Sequence, residues 1–262
     1  MNTDTRAAAH PSPGLRIRPL AGKAALVTGG SRGIGAAVAL RLAADGADVA
    51  VTYEHSERRA AEVAAAVGES GVRGLALRAD GTRAEEVREA VAAAVRAFGG
   101  LDILVNNAGV GHAGPLETVT TADLDHVLAV NVRAPYLAAQ AAAPHLGEGG
   151  RIVTIGSCVA DRVVFPGMSL YAMSKSACGG MTRALARELG PRGITVNTVA
   201  PGPVDTALNP ADGEGAEAQR TGTALGRYGL PDEIADTVAH LAGPGGRWIT
   251  GASVAVDGGF NA

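Results

Sequence analysis

Cysteine, lysine, aromatic side chains and long apolar runs are all scarce in this chain, and each scarcity closes off a class of protein. Only two cysteines occur among 262 residues, Cys158 and Cys178. They lack metal-ligand spacing, so packing in a reducing compartment is their expected role and no metal is expected. No apolar segment approaches the roughly 20 residues of a membrane span. A net charge of −3 leaves no basic surplus for nucleic acid or a membrane surface. Residues 1–20 mix three arginines with prolines and polar side chains and hold no apolar run of signal-peptide length; a flexible N-terminal extension on a cytoplasmic protein is expected. The arginines are compatible with a transit peptide, but Asp4 and the prolines count against an amphipathic one. Lys23 and Lys175 are the only lysines among 23 basic residues. Arginine serves almost everywhere a generic cation is wanted, so Lys175 reads as a choice of compact ammonium.

What is abundant is small and apolar: 47% of residues are hydrophobic and 37 are glycine, which suits helices packed closely on a sheet. The length fits one large α/β domain or two small ones. Ala24–Thr28 is an apolar run that stops at Gly29-Gly30-Ser31-Arg32-Gly33-Ile34-Gly35, and 36–44 reads as a helix. Glycines at such a turn let the backbone approach a pyrophosphate, whose charge the helix N-terminus favours. Strands at 49–52, 74–77 and 101–105 alternate with helices at 56–67 and 84–98. That alternation argues for a parallel sheet covered on both faces, with ligands at the carboxyl ends of its strands. Gly29, Asp80 and Asn106-Asn107-Ala108-Gly109 all fall there.

The stretch 157–175 carries the chemistry. Tyr171 and Lys175 are four residues apart, so a helix begun by Leu170 puts phenol and ammonium on one face. A fixed cation beside a phenol favours the phenolate, and Tyr171 is then expected to donate and recover a proton near neutral pH. Ser157 follows a strand at 151–156 and can hydrogen-bond an oxygen placed beside the phenol. Together they suit a carbonyl becoming an alcohol. A helical pattern over 121–145 contains Asn131, whose buried amide must be satisfied. A sixth strand at 194–199 leads to Pro201-Gly202-Pro203-Val204-Asp205-Thr206. The glycine-rich, acidic stretch 207–224, within a lid of about 203–226, reads as mobile and poor in apolar contacts. A helix at 232–241 and a last strand at 253–256 follow.

In order and spacing, these motifs resemble the short-chain dehydrogenase/reductase family over about residues 21–262. Thr28–Gly35 matches its TGxxxGxG, Asn106–Gly109 its NNAG, Asn131 its helix asparagine, and Ser157, Tyr171 and Lys175 its serine and YxxxK. Pro201-Gly202 and Val256-Asp257-Gly258-Gly259 match as well. The resemblance implies a single doubly wound Rossmann-type α/β domain, with a seven-stranded parallel sheet and helices on both faces. The cofactor half is expected at about 21–150, the substrate half at about 151–262. It implies a nicotinamide cofactor held by Gly29, Ser31, Arg32, Gly33, Ile34, Gly35, Tyr53, Asp80, Asn107, Ala108, Gly109, Tyr171, Lys175, Pro201, Gly202, Val204 and Thr206.

The same resemblance implies hydride transfer with a relay of Asn131, Ser157, Tyr171 and Lys175. Asn131 holds a water that links Lys175 to solvent, or makes a structural hydrogen bond, or both. Thr206 either meets the carboxamide or caps a helix. Tyr53 stands where the family places an acid that selects NAD, and Arg32 can meet a 2′-phosphate, which favours NADPH; Glu54 argues for NAD. Family members that act on acyl carrier protein present basic residues before the fifth strand, whereas 145–150 has one acid and no Lys or Arg. A free small-molecule ketone, or a polyketide-like or aromatic substrate, held between Val159–Met168 and the lid, is therefore expected over a 3-oxoacyl carrier-protein substrate. A sensor or scaffold without chemistry is the rival from another class. His112 reads as a loop histidine rather than a substrate contact, and the final helix and strand imply a homotetramer.

Overall fold

Short runs rich in Val, Ile, Leu and Ala make strands here because both faces of the sheet are covered, so the central strands bury their odd and even side chains alike. The computed structural model describes residues 18–262. Its strands are β1 (Ala24–Val27), β2 (Asp48–Tyr53), β3 (Gly74–Arg78), β4 (Ile103–Asn106), β5 (Arg151–Ile155), β6 (Thr195–Pro201) and β7 (Ser253–Val256). They form one seven-stranded sheet, every neighbouring pair parallel, in the order β3-β2-β1-β4-β5-β6-β7. The helices are α1 (Gly33–Ala44), α2 (Glu57–Glu69), α3 (Ala84–Phe98), α4 (Thr121–Leu128), α5 (Ala134–Ala142), α6 (Ser169–Leu189), α7 (Ala216–Gly222) and α8 (Pro231–Ala242). This is the doubly wound architecture the sequence implies.

Successive residues of a strand feed opposite cores. Val27, Val51, Val105 and Val153 face α1 and α8, meeting Val38, Leu42, Ile234 and Val238. Leu26, Leu104, Ile152 and Val196 face α3, α5 and α6, meeting Val91, Ala138 and Leu189. A fully buried Val, Leu or Ile contributes about 1.5–3 kcal/mol over an exposed one, an exposed ion pair about 0–1 kcal/mol. The two cores therefore hold the fold. The site falls where the strand order turns back on itself, at β1 between β2 and β4: the carboxyl ends there leave a crevice between loops that run in opposite directions.

Four details differ from the sequence reading. Helix α1 begins at Gly33 inside the glycine turn, and β6 runs on to Pro201. The expected helix over 121–145 is interrupted by a π turn at Ala129–Arg133. Pro135 is the cause we assign: it has no N–H to give the carbonyl of Asn131, four residues earlier, and a wider turn accommodates the loss. Leu20 is 3% exposed, and Arg18 Nη2 donates to the carbonyls of Ala43 at 3.1 Å and Ser70 at 2.8 Å. Residues 18–20 thus pack onto the domain, while the rest of the expected extension, 1–17, lies outside the described residues. Among the described residues no helix is long and apolar enough to cross a membrane, and no group of His, Cys, Asp and Glu is arranged to hold a metal ion.

Candidate active site

Thr28 ties the glycine turn to β4. Its Oγ1 accepts from the backbone N–H groups of Asn107 and Ala108, both at 3.0 Å. Asn107 Nδ2 reaches back to the carbonyls of Thr28 at 2.9 Å and Gly29 at 3.0 Å. Asn107 thus shapes the cradle instead of pointing out of it. Gly35 is obligatory, since a Cβ there would overlap the Asn107 amide and the Gly29 carbonyl. A Cβ on Gly29 would lie 2.9 Å from Ala108 Cα. On the other side, Thr52 Oγ1 of β2 accepts from Gly29 N at 3.0 Å. Gly33 stands at φ 55°, in the region glycine favours, as the first residue of α1. Ile34 packs against the core, whereas Ser31 is half-buried in the turn.

Arg32 is exposed at the head of α1, and among the described residues its guanidinium has no hydrogen-bond or ionic partner. Tyr53 is partly buried against the core at the end of β2. Glu54, the residue that argued for NAD, is exposed and meets His55 Nε2 at 2.9 Å. Asp80 Oδ1 accepts from Thr82 Oγ1 at 2.7 Å and Thr82 N at 2.8 Å. The Thr82 hydroxyl, foremost, holds that carboxyl below the usual carboxylate range.

Four more side chains converge across β4 and β5. Helix α6 starts at Ser169, so Tyr171 and Lys175 share a face as expected, with Lys175 Nζ 5.9 Å from the Tyr171 ring centroid. Lys175 is 6% exposed and donates to the carbonyl of Ile155 at 3.0 Å. An ammonium has three donors, and among the described residues no carboxylate pairs with this one, so its remaining capacity points to a ligand. Ser157, buried at the end of β5, accepts weakly from Val159 N at 3.4 Å. Asn131 is buried and fully used: Oδ1 accepts from Val110 N at 2.9 Å, and Nδ2 donates to Val110 O at 2.9 Å and Ser174 Oγ at 3.0 Å. A Cβ on Gly109 would lie 3.3 Å from both Asn131 Oδ1 and Lys175 Nζ, which is why a glycine stands there.

The chain is similar to known proteins in sequence and fold. A family model described as enoyl-(acyl carrier protein) reductase matches residues 29–261. A short-chain dehydrogenase of Burkholderia cenocepacia J2315, solved in complex with NADP, is 59% identical with a TM-score of 0.92, covering 93% of this chain and 100% of that one. The chain belongs to the short-chain dehydrogenase/reductase family. Among curated relatives of this oxidoreductase, a cyclic-di-GMP-binding biofilm dispersal mediator protein of Escherichia coli (strain K12) is 46% identical over 241 residues, 92% of this chain and 98% of that one. A hydroxynaphthalene reductase-like protein of Metarhizium brunneum is 42% identical over 256 residues, 92% and 96% of the two chains.

Beyond β6, residues 201–226 of the oxidoreductase make specific contacts of their own. Pro201 and Val204 are buried, and a Cβ on Gly202 would lie 2.7 Å from Asp257 Cα. Thr206 holds a turn, accepting from Asn209 N at 3.2 Å, so its cap is of a turn and not of a helix. Its methyl also lies 3.4 Å from where a Cβ on Gly33 would stand, which places it against the glycine cradle. Within 207–224, α7 is pinned by reciprocal amide bonds between Asn209 and Gln219 at 2.9 and 3.1 Å. His112 is half-buried with Nδ1 buried and unpartnered. Two residues that build the site escaped the sequence reading. Ser174 had only its place beside Lys175 to mark it, and Asn261, which donates to the Cys158 carbonyl at 2.8 Å, had no local signal.

Proposed function

We propose that the chain is an NADPH-dependent carbonyl reductase that converts a small-molecule ketone to a secondary alcohol, reversibly. The observation that carries this reading is Lys175: a buried ammonium, without a carboxylate, beside Tyr171 and between Ser157 and the Asn131 turn. The glycine turn between Gly29 and Gly35, closely packed on Ala108 and Asn107 and leading into the N-terminus of α1, fits a pyrophosphate. The unpaired Arg32 and the occupied Glu54 fit a 2′-phosphate better than a free ribose. The NADP bound by the Burkholderia relative supports the same choice.

When bound, NADPH supplies the hydride. Tyr171 donates the proton to the carbonyl oxygen, Ser157 hydrogen-bonds that oxygen, and the Lys175 ammonium stabilises the phenolate left behind and holds the ribose. Ser31, Gly33, Ile34, Tyr53, Asp80, Asn107, Ala108, Gly109, Pro201, Gly202, Val204 and Thr206 complete the cofactor contacts in this reading. Asn131 belongs to the relay in this reading, its side chain held by Val110 and Ser174. A carrier-protein substrate fits poorly: Arg151, the first cation after 145–150, is 8% exposed, and its Nη1 is bonded to the carbonyls of Gly149 at 2.6 Å and Gly150 at 3.0 Å. Assembly as a homotetramer through α8 and β7 belongs to the same reading, as does a cytoplasmic location; Ser253 and Ala255 of β7 are exposed and Trp248 beside them is 93% exposed.

The test is NADPH consumption, with NADH in parallel, against ketones, diketones, quinones and a 3-oxoacyl thioester. Tyr171→Phe is expected to abolish turnover while leaving NADPH affinity nearly intact; retained turnover sinks the acid assignment. The second reading, a nucleotide-binding regulator without chemistry, draws on the cyclic-di-GMP-binding relative. It predicts tight NADPH binding with no turnover on any of these substrates.

A further inference from the structure

The segment Asp257–Ala262 leaves β7 and packs between two loops that the reaction needs. Toward Ser157, Asn261 Nδ2 donates to the Cys158 carbonyl at 2.8 Å across 103 positions. Arg162 Nη1 donates to the Phe260 carbonyl at 2.9 Å, and the Phe165 and Phe260 rings meet with centroids 6.4 Å apart, tilted by 48°. Toward the lid, Leu225 N donates to the Gly258 carbonyl at 3.0 Å. There a Cβ on Gly222 would lie 2.8 Å from the Phe260 ring, and one on Gly259 would lie 2.6 Å from Ala224 Cβ. Asp257 fixes the turn itself, accepting from Gly259 N at 2.9 Å and Asn261 N at 3.1 Å.

We propose that Asn261 is a positioning residue for Ser157 and couples its hydroxyl to the lid. The inference rests on the carbonyl reduction proposed above. Ser157 Oγ is itself lightly held, by one bond of 3.4 Å, so its aim depends on the peptide that follows it. The carbonyl of that peptide takes bonds from Asp161 N at 3.2 Å and Arg162 N at 3.3 Å, both longer than the one from Asn261. The orientation of the Asn261 amide is set by chemistry: turned over, its oxygen would face the Cys158 oxygen. Its own Oδ1 is buried without a partner, so Asn261 is kept for what its donor does. Misplacing a reacting group by about 1 Å costs on the order of a hundredfold in rate.

Asn261→Leu keeps the approximate volume and removes the donor; Asn261→Ala repeats the comparison, and Asn261→Gln restores an amide. With the full chain and NADPH bound, Asn261→Leu is expected to lower kcat about tenfold or more while NADPH affinity stays within about twofold, and Asn261→Gln to recover part of the loss. Backbone amides at 158–162 are expected to exchange hydrogen faster in the Leu and Ala variants. In a Ser157→Ala background the Asn261 substitution is expected to cost nothing further, the non-additivity of a group that acts through another. Turnover within about twofold of the parent, equal losses in both backgrounds, or unchanged exchange at 158–162 each overturn the proposal. If the parent protein reduces no ketone, the functional reading has failed, and the exchange comparison, which needs no substrate, decides the coupling alone.

Discussion

Lys23 and Lys175 stand at opposite ends of the strands of one parallel sheet and are treated in opposite ways. Lys23, just before β1, pairs with Asp102 at 2.8 Å where both side chains reach water. Lys175, beyond the end of β5, is buried on a carbonyl with no carboxylate near it. Burying an ammonium on so little is costly, and a chain that writes arginine elsewhere keeps lysine here because a compact charge with spare donors is required. Lys23→Arg is expected to change stability by less than about 1 kcal/mol and to leave turnover alone, as for other exposed pairs. Lys175→Arg is expected to lose turnover by about a hundredfold or more, because the planar guanidinium cannot stand in that pocket beside Gly109. Steady-state rates and thermal melts of the two variants make the comparison.

Among the described residues the Arg32 guanidinium has no partner, so its removal breaks no contact among them. Arg32→Ala is expected to raise KM for NADPH by roughly tenfold to a hundredfold, the about 1.5–3 kcal/mol of a hydrogen-bonded charge, and to leave KM for NADH unchanged. Parallel titrations with the two cofactors check it. An equal change with both would place Arg32 away from the 2′-phosphate.

Glu233 fastens the return from the lid into α8. Its carboxylate accepts from Arg227 Nη1 at 2.8 Å and Nη2 at 2.6 Å and from Leu230 N at 2.7 Å. The Arg227 hydrogen bonds foremost, then the Leu230 amide, lower its pKa from 4.5 to about 2. A depressed carboxyl stabilises the fold above its unfolded value and loses that contribution as pH falls toward the folded one. The Tm gap between the parent protein and Glu233→Gln is therefore expected to be full at pH 7 and to close as pH drops from about 4.5 toward 2. Melts across that range read it directly.

Cys158 neighbours Ser157 yet is no nucleophile. Burial, foremost, and the charge of Asp257 push its thiol up to about 11, and burial raises that of Cys178 as well. Neither is expected to react with a thiol-directed reagent at pH 7.5 until the protein unfolds. Mass spectrometry before and after denaturant, showing no adducts and then two, is the check.

What could be read from the sequence was what lies close along it. Tyr171 and Lys175 share a helix, so their spacing alone put them on one face. The strands of β1 and β5 were legible because an apolar run bounded by glycine has few other solutions. The π turn at Ala129–Arg133 had a mark in Pro135, but propensity does not say how a helix absorbs a missing donor. The contact that fastens α7 is a pair of amides ten residues apart, Asn209 and Gln219, that composition reads as mere polarity. The hydrogen bonds of Asn131 join it to Val110 and Ser174, 21 and 43 positions away, which no local pattern reveals. The Asn261 contact depends on tertiary closure alone, and no periodicity announces it.

Thr28 gives one hydroxyl to two amides that arrive 79 and 80 positions later. The glycine turn therefore acquires its shape only when β4 has joined β1. A nascent chain that stops short of residue 107 has the strand, the turn and the first helix, and still no cradle. During refolding, nucleotide affinity will report closure of the sheet's centre, an event later than helix formation, because distant segments must meet before their hydrogen bonds repay the lost entropy.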